Sequence, residues 1–349
     1  MPVEYDSGLA RSGRSLTMSK RQKRLFVRRV LLIGSALGAG AFLPVLFLPV
    51  SHRPSVYHAS AKILPYNQAV AKIHGLIAGS PANVRAECAV QLLDHGHPTR
   101  QVFVLMHGLS NCPAQFAELG LLLFERGHNV VIPRIPYHGE KNRLATDWAR
   151  LTAGDMLDAG NQAVDLARSL GGEVTAVGLS ISGATVAWMG QNRRDLDRAV
   201  LLAPFLAPAG LPGWALAPLE RLLLRLPNMF FWWNPELREN LEGSPYAYPR
   251  FPTRVIGETM FLGREVLRES HDDAPQSARL LVVTSASDTA ANNRVTSQLV
   301  ANWRRLGQGQ VETFEFPAAD KVPHDFIDPN QPDQQTALVY PKIIELLEQ

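Results

Sequence analysis

The segment Gly178-Leu179-Ser180-Ile181-Ser182-Gly183 constrains this chain more than any other. It follows Glu173-Val174-Thr175-Ala176-Val177, a short apolar run with the character of a buried strand, and precedes Ala184-Thr185-Val186-Ala187-Trp188-Met189, whose apolar spacing predicts a helix packed on a sheet. A serine between strand and helix, with residues of little or no side chain two positions to either side, meets the steric demand of a sharp, strained turn. The turn would lift the Ser180 hydroxyl above the sheet, with a helix N-terminus beside it that favours negative charge. The usual spacing is Gly-x-Ser-x-Gly; here Ser182 holds the last position and glycine comes one residue later. Six such residues can also serve as a plain strand-to-helix connection, so the flanking chain decides.

Upstream, Gln101 to Met106 reads as a buried strand running into His107-Gly108-Leu109-Ser110-Asn111. A helix is predicted from Ala114 to Arg126, with Phe116, Leu119, Leu122 and Leu123 as its apolar face, then a strand from Asn129 to Pro133 and the turn Pro136-Tyr137-His138-Gly139. This strand–helix–strand order is that of a parallel βαβ unit. Neither His107 nor His138 has a metal-ligating partner three or four residues away, and each adjoins a glycine turn, which favours structural hydrogen bonding over a metal site.

Downstream, strands are predicted at 198–203, 279–285 and 311–316. Asp288 stands just past the end of the second. Asp272 and Asp273 precede that strand and so lie at its wrong end, and Asp320 follows the third. His324 arrives last, in a Pro/Asp-rich loop before a final helix. The chain order Ser180…Asp288…His324 is one in which a serine nucleophile, an orienting carboxylate and a proton-accepting imidazole recur.

With His107-Gly108-Leu109, Pro136-Tyr137-His138-Gly139, Gly178-Leu179-Ser180, Asp288 and His324-Asp325 in place, residues 86–349 resemble the α/β-hydrolase superfamily, in its bacterial carboxylesterase and monoacylglycerol-lipase-like branch. The resemblance implies a mostly parallel central sheet with helices on both faces, an inserted cap, and ester hydrolysis through an acyl-enzyme on Ser180. It also implies Leu109 and Ile181 N–H groups as oxyanion donors, and a small-molecule or lipid ester as substrate with no cofactor. Ser182 departs from the pattern and is expected to do no more than pack. The same scaffold supports acyltransferases and non-catalytic binding modules, and these remain the alternatives.

About seventy-five residues separate the strands at 198–203 and 279–285, too many for a plain crossover. Rich in Pro and aromatic residues (Trp214, Phe230 to Trp233, Tyr246, Tyr248, Phe251), the stretch at about 205–275 is predicted to be a helical cap, with Leu216 to Leu226 its clearest helix. Part of its aromatic surface should line an acyl pocket.

Residues 1–29 carry eight Lys/Arg against Glu4 and Asp6, a surplus of +6 in a chain of net charge +3, which leaves −3 for the rest. The basicity therefore belongs to the tail, and nothing in it calls for a nucleic-acid partner. Residues 30–50 follow as 21 uncharged residues, about 30 Å of helix and enough to span a bilayer. The expectation is a cytoplasmic tail (1–29), a single transmembrane anchor (30–50), a connector (51–85) with a helix from Tyr66 to Ile77, and a periplasmic catalytic domain on the bacterial inner membrane. Cleavage near Ala59-Ser60-Ala61 and export is the alternative, and Met18 would serve equally well as a start. The two cysteines, Cys88 and Cys112, are expected to pair in that oxidising compartment, brought together by a hairpin between a strand at 87–93 and the strand at 101–106.

Overall fold

A computed structural model describes residues 63–237, 243–306 and 310–349. The predicted anchor at 30–50 and its basic flank lie outside these. Among the described residues no helix is long and apolar enough to cross a membrane.

The chain begins with helix α1 (Tyr66–Ala78), then strands β1 (Gln91–Leu93) and β2 (Thr99–Met106), helix α2 (Ala117–Phe124) and β3 (Asn129–Ile132). Next come α3 (Ala153–Ala167), β4 (Gly171–Leu179), α4 (Ile181–Asn192) and β5 (Arg198–Leu202). After them stand α5 (Gly213–Arg225), β6 (Phe230–Trp232), β7 (Arg250–Pro252) and α6 (Thr253–Asp272). The chain closes with β8 (Arg279–Ser285), α7 (Asn293–Arg305), β9 (Gln310–Phe316) and α8 (Thr336–Glu348).

Seven strands form one sheet in the order β1-β3-β2-β4-β5-β8-β9, parallel throughout except for β1 at the edge. The central strands are apolar on both sides because both faces are covered. Phe103, Leu105, Val177 and Leu179 join Leu119 and Leu123 of α2 and Val339, Ile343 and Leu347 of α8 in one core cluster. Helices α3, α4 and α6 pack together on the other face, α4 against β4 and β5. Each such side chain removed from water contributes about 1.5–3 kcal/mol. Arg198, buried in β5, spends its guanidinium on the carbonyls of Leu346 and Leu347 (2.8 and 3.0 Å). A cation there complements the negative end of α8 and fixes that helix to the sheet.

Two expectations need correction. The segment at 205–275 is not a cap of helices alone. It holds α5 and a two-stranded antiparallel hairpin, β6–β7, while α6 packs on α4 as part of the helical layer over the sheet. The cap meets the body at Tyr248, whose N–H donates to the Ser110 carbonyl (2.7 Å) and whose ring stacks on Trp148.

The β1–β2 hairpin does not form either. Residues 86–88 make a 3-10 turn, β1 is only three residues long, and β3 separates it from β2. The Cys88–Cys112 disulfide is nevertheless present, with Cα atoms 5.2 Å apart. Because β1 runs antiparallel to β3, with Gln91 opposite Ile132, its start lies at the carboxyl edge of the sheet, where Cys112 follows β2. Gly139 closes over the bridge at φ +81°. A Cβ there would stand 2.4 Å from the Cys88 Cβ, so only glycine fits.

Candidate active site

Ser180 occupies the junction of β4 and α4 at φ 59°, ψ −115°, a conformation that costs a non-glycine residue on the order of 1–3 kcal/mol. Hydrogen bonds hold it there: its N–H donates to the Leu202 carbonyl (3.0 Å), and its carbonyl accepts from Phe205 N–H (2.9 Å). A Cβ on Gly178 would stand 2.2 Å from the Ser182 carbonyl oxygen, which is why the turn begins with glycine. Ser182 itself is fully buried, and its hydroxyl donates to the His107 carbonyl (2.5 Å). The residue expected only to pack thus ties the elbow to the end of β2.

The Ser180 hydroxyl lies 2.9 Å from Nε2 of His324, and His324 Nδ1–H donates to Asp288 at 2.7 Å. Asp288 Oδ1 also accepts from the N–H groups of Ala290 (2.7 Å) and Ala291 (2.9 Å). Burial works against its charge, but the His324 hydrogen bond and the two amides outweigh it and hold the carboxyl below its usual range. The sequence-predicted trio therefore meets in one place, drawn from the ends of β4, β8 and β9. Asp288, not Asp320, Asp272 or Asp273, faces the imidazole.

The two expected amide donors flank the same spot. The Gly108 carbonyl accepts from His107 Nδ1–H (2.9 Å) and from Asn111 N–H (3.3 Å). In a trans peptide the N–H opposes the C=O, so the Leu109 N–H points away from those two donors. Ile181 N–H is the first of α4, with no partner in its own helix. Both residues line the cavity that Ser180 and His324 face. His107 keeps one tautomer, since its Nε2 accepts from Ile135 N–H (3.1 Å). His138 sits between two carbonyls, Nε2 2.6 Å from Leu109 O and Nδ1 2.9 Å from Pro136 O, and as a neutral ring donates to one of them. Burial holds both imidazoles neutral, His107 well below its usual value and His138 at about 4. Both are structural ligands of the loop, and among the described residues no three His, Cys, Asp or Glu gather as a metal site.

The cavity measures about 340 Å³ and is walled by Leu109, Ile181, Phe205, Pro208, Phe251 and Ile256. A second arm of about 290 Å³ also borders His324, lined by Arg143, Asn234, Ser244 and Gln331. Trp233, packed against Phe251 with ring centres 4.2 Å apart and planes tilted by 34°, borders both. A larger cavity beneath α1, about 590 Å³, contains none of the trio.

Sheet, strained serine and facing imidazole–carboxylate pair define a hydrolase-type scaffold. The sequence matches the alpha/beta hydrolase family over residues 103–337, and the chain belongs to that family. No curated protein matches it. Among solved structures it is similar to the Paleococcus ferrophilus monoacylglycerol lipase (16% identity, 74% of this chain and 97% of that one, TM-score 0.56). It is also similar to a structure from work on LipS and LipT, two metagenome-derived lipolytic enzymes (18% identity, 76% and 99%, TM-score 0.54). A third is a soluble variant of the monoglyceride lipase of Saccharomyces cerevisiae (12%, 74% and 90%, TM-score 0.54). At these identities the likeness is one of fold.

Proposed function

We propose that this protein is a serine hydrolase of carboxylic esters with an apolar acyl group, working through an acyl-enzyme on Ser180. One observation carries the reading: Ser180 Oγ, His324 and Asp288 stand in hydrogen-bonding sequence at 2.9 and 2.7 Å, opening into an apolar cavity flanked by two backbone donors.

Ser180 Oγ attacks the ester carbonyl carbon as its proton passes to His324 Nε2. Asp288 holds the Nδ1–H tautomer and stabilises the imidazolium. The carbonyl oxygen, now carrying the negative charge, takes the Leu109 and Ile181 N–H groups, reinforced by the N-terminus of α4. The C–O bond to the alcohol breaks, and the leaving oxygen takes the proton from His324. Water then gives a proton to His324 and its hydroxyl to the acyl carbon; the acid departs and the proton returns to Ser180. The acyl chain lies among Leu109, Ile181, Phe205, Phe251 and Ile256. Lipolytic fold relatives lend weight to an ester substrate, and water as acceptor distinguishes this reading from acyl transfer.

The domain works tethered to the outer face of a bacterial inner membrane, held by residues 30–50. The uncharged 21-residue run behind a basic flank supports this, as does a disulfide that needs an oxidising compartment. Treatment with a fluorophosphonate followed by peptide mass mapping tests the chemistry. The adduct is expected on Ser180 with parallel loss of p-nitrophenyl ester hydrolysis. An unlabelled Ser180, or a Ser180→Ala variant that keeps more than a few per cent of activity, overturns the reading.

A further inference from the structure

Beyond Met106, which pairs with Gly178, β2 has left the sheet ladder, so the Gly108 N–H needs another partner. It donates to Gln115 Oε1 at 2.7 Å. Gln115 is almost wholly buried, and its Nε2 donates onward to Asp325 Oδ2 at 2.9 Å. Asp325 is the residue after His324. Gln331 Nε2 donates to the same oxygen (2.9 Å), and Asp328 N–H reaches Oδ1 (3.3 Å). A second strut runs parallel: Asn111 Nδ2 donates to Asp328 Oδ2 at 2.6 Å. The loop that carries the imidazole and the loop that carries the Leu109 N–H are thus joined by side chains alone, across more than 200 residues of sequence.

We propose that Gln115 and Asp325 are positioning residues that lock the oxyanion loop to the His324 loop, setting the Leu109 N–H and the imidazole at a fixed separation. This rests on the reading of Ser180, His324 and Leu109 given above. The directions of donation allow no substitute. Gly108 N–H needs an acceptor, Asp325 needs a donor, and only an amide of this length offers both ends at once. Gln115 touches neither the reacting atoms nor the Ser180 hydroxyl. It acts through the Gly108 peptide, whose other neighbour bears the donor. Gln115 and Asp325 also border the cavity beside Ser180, but the acyl wall of Phe205, Phe251 and Ile256 lies apart from the strut. Freed from Gln115, the Gly108 segment would sample other orientations, and a donor that swings away is lost to the transition state. Burial, then repulsion from Asp328, pushes the Asp325 carboxyl up. The amide donors from Gln115 and Gln331 oppose that rise without cancelling it.

The test is a polarity swap. Gln115→Leu and Gln115→Glu are each expected to lower kcat about 10- to 100-fold, less than the loss of a whole oxyanion donor, with KM changed by less than twofold. Asp325→Asn alone should fall in the same range, since the new NH2 must turn either on Gln115 and Gln331 or on the Asp328 N–H, all of which donate. In Gln115→Glu/Asp325→Asn the acceptor and donor exchange places. Gly108 N–H still finds a carboxylate oxygen, and most of the lost kcat should return. No general destabilisation predicts that recovery. Wild-type kcat in Gln115→Leu, or a double variant no better than the poorer single one, overturns the proposal. If Gln115→Leu fails to fold, the two single polar variants and the swap carry the test unaided. Amide hydrogen exchange over residues 107–116 reads the strut without any substrate. It should quicken in both polar single variants and slow again in the swap, and no change overturns the proposal. Failure of ester hydrolysis or of Ser180 labelling in the wild type, with this exchange pattern intact, counts against the ester-hydrolase reading and leaves the strut standing.

Discussion

The Ser182 hydroxyl donates to the His107 carbonyl oxygen across 2.5 Å, entirely out of solvent. One short bond therefore couples the helix behind the elbow to the strand end that carries the oxyanion loop. Glycine, the commoner residue there, could not make it. Ser182→Ala should lower stability by about 1 kcal/mol, the usual net worth of a neutral buried hydrogen bond. It should also lower kcat several-fold through a looser His107. Urea unfolding alongside ester kinetics checks both, and a variant identical to wild type would reduce Ser182 to a packing residue.

Asp288→Asn is expected to cut kcat by about 10⁴-fold with the fold preserved. An amide presents a donor to Nδ1 and so favours the wrong imidazole tautomer. Asp320→Asn should leave the rate unchanged, because His324 turns to Asp288. A reversed ranking of the two would reassign the acid.

Reduction of the Cys88–Cys112 bridge opens a loop with a sequence separation of 24. By loop-closure entropy this costs about 3 kcal/mol. Melting with and without reductant, and the Cys88→Ser/Cys112→Ser double variant, should agree on that loss. Two free thiols in a non-reducing peptide map of the untreated protein would refute the bridge.

Acid should loosen the fold before it protonates most carboxylates. Burial holds His138 at about 4 and depresses His107 as well, so each is neutral in the folded chain and charged in the unfolded one at pH 5. The unfolded state then binds more protons, and this contribution is intact above about pH 6.5, the unfolded value. It is lost as pH falls toward the folded one, at up to about 1.4 kcal/mol per pH unit per ring. Urea unfolding at pH 7.5, 6 and 5 should show the slope, and His138→Gln should flatten it by one ring's share. An unaltered slope would mean that His138 is not neutral in the fold.

Trp233→Ala should join the two arms of the pocket, about 340 and 290 Å³, into one. The ratio of kcat/KM for a dodecanoate over a butyrate ester should rise about tenfold, since extra methylenes gain a place to bury. A ratio that stays put would locate the end of the acyl pocket elsewhere.

What the sequence determined by itself was local. Apolar runs mark the strands at 101–106, 173–177, 198–203 and 279–285 to within a few residues, because a parallel strand buried on both faces is largely apolar. The half-exposed edge strand at 311–316 shows only in Val311, Phe314 and Phe316. The trio of Ser180, Asp288 and His324 is legible because each residue follows the carboxyl end of a strand, and the three come in the chain order Ser, Asp, His. Tertiary structure decided the rest, and in each case the reason is a partner distant in the chain. Nothing local says that β1 pairs with β3 and not with β2, since a three-residue strand takes its register from its neighbour. Cys88 and Cys112 pair, yet no hairpin brings them together; the antiparallel edge strand is what returns Cys88 to the carboxyl side of the sheet. Ser182 reads as a small residue until the His107 carbonyl stands opposite it. Gln115 gives no sign at all, a lone amide at the head of a helix. Its meaning comes only when Gly108 loses its sheet partner and Asp325 arrives, 210 residues later, to take the other end.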